Sequence, residues 1–335
     1  MAKAGVIGAG SWGIALACVL CENDHDVTVW SHNSKQIEAL KKDRELKDKL
    51  PGIILPDSLV FTDSIEEALL GMDLAVVAVP SKAVRETAEK MKPFVTDQLI
   101  TDVSKGIEED SFLTMTEVLR DVMPKARLSV LSGPSHAEEV IRRMPTTVVA
   151  GASVREDAEF VQSMFMNDSF RVYTSPDVLG IGLGGALKNV IALAAGMADG
   201  LGYGDNTKAA LITRGIREVT ALALKMGAYQ ETIEGLSGMG DLIVTCASMH
   251  SRNRRAGILI GQGKTPDEAT KEVKMVVEGI FSAKAAAGLA ERYGVSLPII
   301  EEVNEVLFNG KSAKEGVYDL MQRDRKSEHT HLRWK

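Results

Sequence analysis

The chain has 335 residues, 45% of them hydrophobic and 25% charged, which is length enough for two domains and the composition of an ordinary globular protein. The net charge of −7 excludes bulk attraction to nucleic acid or an anionic membrane, and three cysteines exclude a paired disulfide framework. No apolar run is expected to span a bilayer, because the most apolar stretch, ALKNVIALAAGMADG, is interrupted by Lys188 and Asp199.

The N-terminus has no signal-peptide pattern, so the expected compartment is the cytoplasm. In chain order, short apolar runs predict strands at 3–7, 27–30, 74–79, 99–102 and 128–131, with further strands at 147–150 and 170–173. Between them, helical periods fall at 11–22, 34–47, 81–91, 112–122, 135–142 and 155–165. Ser64 with Glu67 reads as a capping box for one more short helix, closed by Gly71. Strands alternating with helices, and runs as apolar as LAVVAV, imply a mostly parallel sheet covered on both faces.

From 177 onward helical periods replace strands, at 177–200, 207–226, 252–262, 266–274, 280–293 and 298–308. The expected organisation is therefore a dinucleotide-binding domain over 1–176, an all-helical domain over 177–322 and a basic polar tail over 323–335. His329 and His331 in that tail read as a solvated end rather than a metal site. Cys18 and Cys21 stand as C-x-x-C on the first helix, but no second pair follows. Packing is the expected role, and no metal is expected.

The stretch GAGSWG follows the first apolar run and opens the first helix. Gly8 would make the tight turn, Gly10 would let a pyrophosphate approach the backbone, and Gly13 would seat the helix on the sheet. Ser11 and Trp12 stand where helix N–H groups point at an anion. This context gives an α/β fold class: an N-terminal Rossmann-type doubly wound sheet followed by an all-α C-terminal domain. The second strand ends Trp30-Ser31-His32-Asn33, with no carboxylate to hold a ribose 2′-hydroxyl or repel a 2′-phosphate. NADP is therefore expected to be accepted alongside NAD, with Ser31, His32, Asn33 and Lys35 as candidate donors. The same residues also read as a turn, with Asn33 or Ser34 capping the next helix.

Ligands of open parallel sheets sit beyond the carboxyl ends of the strands. Three segments fall there: Pro80-Ser81, Ser104-Lys105-Gly106, and Gly133-Pro134-Ser135-His136-Ala137. The helical part offers Lys188 and Asn189 in GGALKN. A lysine among glycines and apolar residues either reaches the surface or, partly desolvated, has a lowered pKa and serves as a general base. It also offers Asp241 with Thr245 one turn on, and Ser251-Arg252-Asn253, where a cap, a helix start and an Arg fork suit a phosphate or carboxylate. Arg254 and Arg255 read as a solvated face.

Taken in order, GAGSWG, VAVPS, SKG, GPSHAEEV, GGALKNVIALAAGMADG, NTKAALITRG, MGDLIVTC, SRNRR and VVEG resemble the bacterial NAD(P)-dependent glycerol-3-phosphate dehydrogenase family, from about residue 4 to 320. The resemblance implies reversible reduction of dihydroxyacetone phosphate to sn-glycerol 3-phosphate for phospholipid synthesis. It implies Lys188 as general acid/base, Lys105 touching cofactor and substrate, and Asp241 orienting both lysines with help from Thr245. Gly133, Ser135, Asn189, Ser251, Arg252 and Asn253 would contact the substrate. Ser11, Trp12, His32, Asn33, Pro80, Ala137, Arg252, Val276 and Glu278 would lie on the cofactor side. A homodimer is the fold-level expectation. Two other readings stay open at this level: a two-domain hydroxy-acid dehydrogenase using the same Arg for a carboxylate, and a non-catalytic NAD(P) sensor.

Overall fold

The structure, a computed structural model, describes residues 1–325, 327 and 328. Most of the basic tail, with His329 and His331, lies outside the described residues. The first half runs β1 (Lys3–Ile7), α1 (Ser11–Glu22), β2 (Asp26–Trp30), α2 (Ser34–Asp43), β3 (Val60–Thr62), β4 (Leu74–Val77), α3 (Val84–Met91) and β5 (Leu99–Asp102). It continues through α4 (Met115–Val122), β6 (Arg127–Ser132), α5 (Ala137–Val140), β7 (Thr146–Ala152), α6 (Arg155–Phe165) and β8 (Phe170–Ser175). The strands form one sheet in the order β3-β2-β1-β4-β5-β6-β7-β8, parallel throughout except for the antiparallel β6–β7 pair. Gly5 of β1 pairs with Thr28 of β2 on one side and Ala75 of β4 on the other. The chain order therefore reverses at β1/β4, the switch point where such sheets bind ligands.

Both faces of the sheet are covered, as its apolar strands require. Leu16, Leu20, Val29, Val161 and Phe165 belong to the core on one face. Val77, Ala88, Ile100, Val118 and Leu119 belong to the core on the other.

Helices make up the second half: α7 (Val178–Gly200), α8 (Asp205–Met226), α9 (Gln230–Ile233), α10 (Asp241–Ala247), α11 (Arg252–Gly261), α12 (Pro266–Val273), α13 (Glu278–Tyr293), α14 (Pro298–Phe308) and α15 (Ala313–Met321). Helix α7 is 23 residues long and apolar enough to cross a membrane by length and composition, contrary to the expectation that no run is. Its residues are mostly buried under the surrounding helices, which makes it the central core helix of this half. Ile181 in its first turns packs with Val130 and Val149 of the sheet.

Several boundaries differ from the sequence expectation for local reasons. Helix α2 stops at Asp43 because Arg44 turns left-handed, at φ 50°, and its guanidinium donates to the Leu59 and Pro56 carbonyls. The helix expected from 112 starts at Met115, since Phe112 has φ 62° and Thr114 forms a capping box with Glu117. The helix expected over 135–142 shrinks to α5, and the one expected from 81 begins as a 3₁₀ turn, Ser81–Ala83. The Ser64/Glu67 helix does not form. The Glu67 carboxylate instead accepts the Thr62 hydroxyl at 2.6 Å, and the segment is a series of turns. Four elements escaped the sequence reading: β3 is three residues long, α9 four and α10 seven, and α15 has only two buried positions.

Candidate active site

Lys188 lies halfway along α7 and is 7% exposed. Its Nζ donates to Asp241 Oδ1 at 2.5 Å and to the Thr245 hydroxyl at 2.7 Å. The Thr245 hydroxyl donates to the Asp241 carbonyl at 2.6 Å, which leaves its oxygen free to accept from the lysine. Asp241 Oδ2 accepts from Lys105 Nζ at 2.6 Å, and Lys105 also donates to the Gly133 carbonyl at 3.0 Å. One buried carboxylate thus holds two ammonium groups from opposite halves of the fold. An ammonium has three donors, so each lysine keeps one for a ligand.

Burial pushes the Lys188 pKa down to about 8, against the attraction of Asp241 and with the help of the Lys105 charge. Burial would raise the Asp241 pKa, but the two lysines overcome it and the carboxyl sits below its ordinary value. Beside them, burial and then the Lys188 charge lower the pKa of His136, whose ring lies 5.7 Å from that of His250.

These groups edge a cleft of about 810 Å³ between the sheet and the helices. The start of α11 lines the same cleft. Ser251 caps it by accepting the Arg254 N–H, and Arg252 and Asn253 occupy its first turn. The Asn253 amide is fixed on both sides: Nδ2 donates to Asn189 Oδ1 and Oδ1 accepts the Gly279 N–H, each at 2.8 Å. Asn189 therefore supports Asn253 from α7. Arg254 is not the solvated residue expected. It pairs with Asp199 at 2.8 Å and anchors the start of α11, whereas Arg255 lines the cleft.

The glycine loop forms the sheet side. Gly8 has φ +128°, and an added Cβ would meet the Ala78 carbonyl oxygen at 2.6 Å, so the turn folds tightly against the end of β4. An added Cβ at Gly10 would meet nothing within 4 Å, while one at Gly13 would strike the Gly8 carbonyl oxygen. Gly8 and Gly13 thus shape the loop from behind, and Gly10, Ser11 and Trp12 line the cleft. An open approach at the start of a helix suits the pyrophosphate of a dinucleotide. Across the cleft, Glu278 accepts the N–H and the hydroxyl of Ser81, tying the loop after β4 to α13.

Of the expected site residues, Pro80, Lys105, Ser135, Ala137, Lys188, Asn189, Thr245, Ser251, Arg252, Asn253, Val276 and Glu278 line this one cleft. Gly133 and Asp241 do not line it, but each holds a lysine that does. His32 and Asn33 do not line it. The Asn33 side chain caps α2 by accepting the Gln36 N–H at 3.2 Å, and His32 is exposed beyond it. Gln36, overlooked in the sequence, donates to the Ala9 carbonyl at 2.8 Å and accepts from Ser31, bracing the glycine loop. Lys49, Lys82, Arg255 and Lys274 also line the cleft. They come from separate segments, and no local spacing singles them out.

A dinucleotide sheet facing a lysine–aspartate–lysine centre and a helix-borne anion site defines an NAD(P)-dependent dehydrogenase of the two-domain class. The family models described as NAD-dependent glycerol-3-phosphate dehydrogenase N-terminus and C-terminus match residues 3–158 and 177–318. The chain belongs to the NAD-dependent glycerol-3-phosphate dehydrogenase family. It is 64% identical over 336 residues to glycerol-3-phosphate dehydrogenase [NAD(P)+] of Agathobacter rectalis, covering 100% of both chains. It is 57% identical to the enzyme of that name from Fusobacterium nucleatum, over 98% of this chain and 99% of the relative. The crystal structure of glycerol-3-phosphate dehydrogenase from Coxiella burnetii superimposes with a TM-score of 0.93 at 32% identity, over 96% of this chain and 99% of that one.

Proposed function

We propose that this chain catalyses the reversible reduction of dihydroxyacetone phosphate to sn-glycerol 3-phosphate with NADH or NADPH, furnishing the backbone of phospholipids. The observation that carries the reading is one cleft holding the glycine loop, the Lys188–Asp241–Lys105 centre and the Arg252/Asn253 helix start. A nicotinamide dinucleotide, when bound, supplies or accepts the hydride.

The chain's own residues do the rest. Lys188 gives a proton to the substrate oxygen in reduction and takes it back in oxidation. Asp241 keeps both lysines aimed at the reacting end, and Thr245 holds a second Lys188 donor. Lys105, bridging Asp241 and Gly133, faces cofactor and substrate together. Ser135 closes the substrate's near side, and Gly133, behind the cleft, acts through the Lys105 ammonium that its carbonyl holds. Ser251, Arg252 and Asn253 grip its phosphate, which supplies orientation remote from the reacting carbon. Gly10, Ser11, Trp12, Pro80, Ala137, Val276 and Glu278 form the cofactor wall, with Gly8 and Gly13 shaping the loop from behind.

The end of β2 carries no carboxylate, which supports acceptance of NADPH. A cytoplasmic homodimer belongs to the same proposal; the burial of α7 in the interior supports a location off the membrane. Initial rates with dihydroxyacetone phosphate and each reduced cofactor test the reaction, and sedimentation tests the dimer. Absence of turnover with either cofactor would overturn the reading.

A further inference from the structure

We propose that Asp102 is a positioning residue for the reaction: by folding the loop after β5, it sets the Lys105 ammonium on Asp241. The kinetic part of this inference rests on the proposed function. Asp102 ends β5, is 2% exposed and does not line the cleft. Its Oδ1 accepts the Ser104 N–H at 2.9 Å and its Oδ2 accepts the Thr116 hydroxyl of α4 at 2.8 Å. Ser104 in turn donates its hydroxyl to the Val79 carbonyl at 2.8 Å, beyond the end of β4. The loop is closed on its far side by Gly106, where an added Cβ would strike the Ser81 side chain. Lys105 leaves this loop between two fixed neighbours, with its Nζ on Asp241 and Gly133.

A carboxyl buried without a cation is costly, and burial raises its pKa to about 7. Packing alone would be served by an apolar residue. What the carboxyl adds is two acceptors that pin β5, the lysine loop and α4 to one another. The Lys105 charge also lowers the proton affinity of Lys188. Loosening the loop should therefore be felt at the acid/base.

The test compares Asp102→Ala, Asp102→Asn, Lys105→Met and the Asp102→Ala/Lys105→Met double variant. Asp102→Ala should lower kcat for dihydroxyacetone phosphate reduction by about 10- to 100-fold, the scale of a small misplacement. It should also raise the pH at which Lys188 loses its proton, read by lysine Nζ NMR without turnover. Asp102→Asn keeps an acceptor for the Ser104 N–H and should restore most of the rate. In the Lys105→Met background, Asp102→Ala should cost no more than about twofold, because coupled residues are not additive. Equal losses in both backgrounds, or a lower Tm with unchanged Lys188 titration, would overturn the inference. If the wild type does not turn over dihydroxyacetone phosphate, the functional reading falls and the Lys188 titration alone decides. Should Asp102→Ala fail to fold, Thr116→Val removes one of the two pins. It should move the titration the same way by less, and an unchanged titration counts against the role.

Discussion

At the scale of single residues, Lys188 is a cation almost wholly removed from water. With a pKa brought down to about 8, it is protonated below that pH and a free amine above it. Reduction needs the protonated form, so kcat for reduction should fall as pH rises through about 8. Oxidation needs the free amine and should rise through the same window. Initial rates in both directions check this, and profiles that run in parallel would contradict it. Lys188→Ala should lose about 10²- to 10⁴-fold in kcat, the usual worth of a positioned acid/base. Arg252→Ala should instead mainly raise KM for dihydroxyacetone phosphate, since its proposed contact is to the phosphate and not to the reacting carbon. A purified variant with normal KM would exclude the phosphate role. Lys188 was legible in the sequence because a charge among glycines and alanines is conspicuous. Lys49 and Lys274 were not, because each is an ordinary polar residue in its own segment.

Among the elements, the pairing of α7 with α11 fixes how far Lys188, the proposed acid/base, stands from Arg252 and Asn253, the proposed phosphate site. Gly196 and Gly200 of α7 face Gly257 and Gly261 of α11, and at each a Cβ would run into a backbone carbonyl of the other helix, 2.2–2.3 Å away. Neither backbone can yield without separating the helices. Gly257→Ala should therefore destabilise the fold by about 1–3 kcal/mol, as overpacking does. It should also raise KM for the phosphate substrate, by displacing Arg252 and Asn253 from Asn189. Thermal unfolding and kinetics on one preparation test both; an unchanged Tm would show that the helices can part freely. The spacing of these glycines is visible in the sequence. That the two pairs meet is not, because a long stretch of chain separates the helices and periodicity carries no partner.

For the whole molecule, stability should depend on pH through carboxyls buried away from the site. Glu218 of α8 accepts the N–H groups of Ile299 at 2.9 Å and Ile300 at 3.3 Å, capping α14 from a neighbouring helix. Burial raises its pKa from 4.5 to about 7, against those hydrogen bonds. A carboxyl with a raised folded-state pKa gives its full stabilisation below the unfolded value, and loses it as pH climbs from there through the folded value. Glu218→Gln keeps one acceptor and no charge. It should be less stable than wild type in mild acid. The gap should then narrow by up to about 1.4 kcal/mol for each pH unit climbed toward neutrality, and level off beyond it. Urea midpoints in mild acid and above neutrality measure it; a constant gap would refute the buried charge.

The sequence by itself determined the strand–helix alternation, the glycine loop, the change to helices near residue 177, and most of the residues proposed here to carry chemistry, because period, caps and misplaced charges are local signals. Only the tertiary structure decided that Asp241 holds Lys105 and Lys188 together, that Asn33 caps a helix while Gln36 braces the loop, and that Arg254 is a strut and not a solvated residue. Each of these is a choice among partners distant in the chain. Such choices are settled by which buried donors and acceptors the packed elements bring within reach of one another.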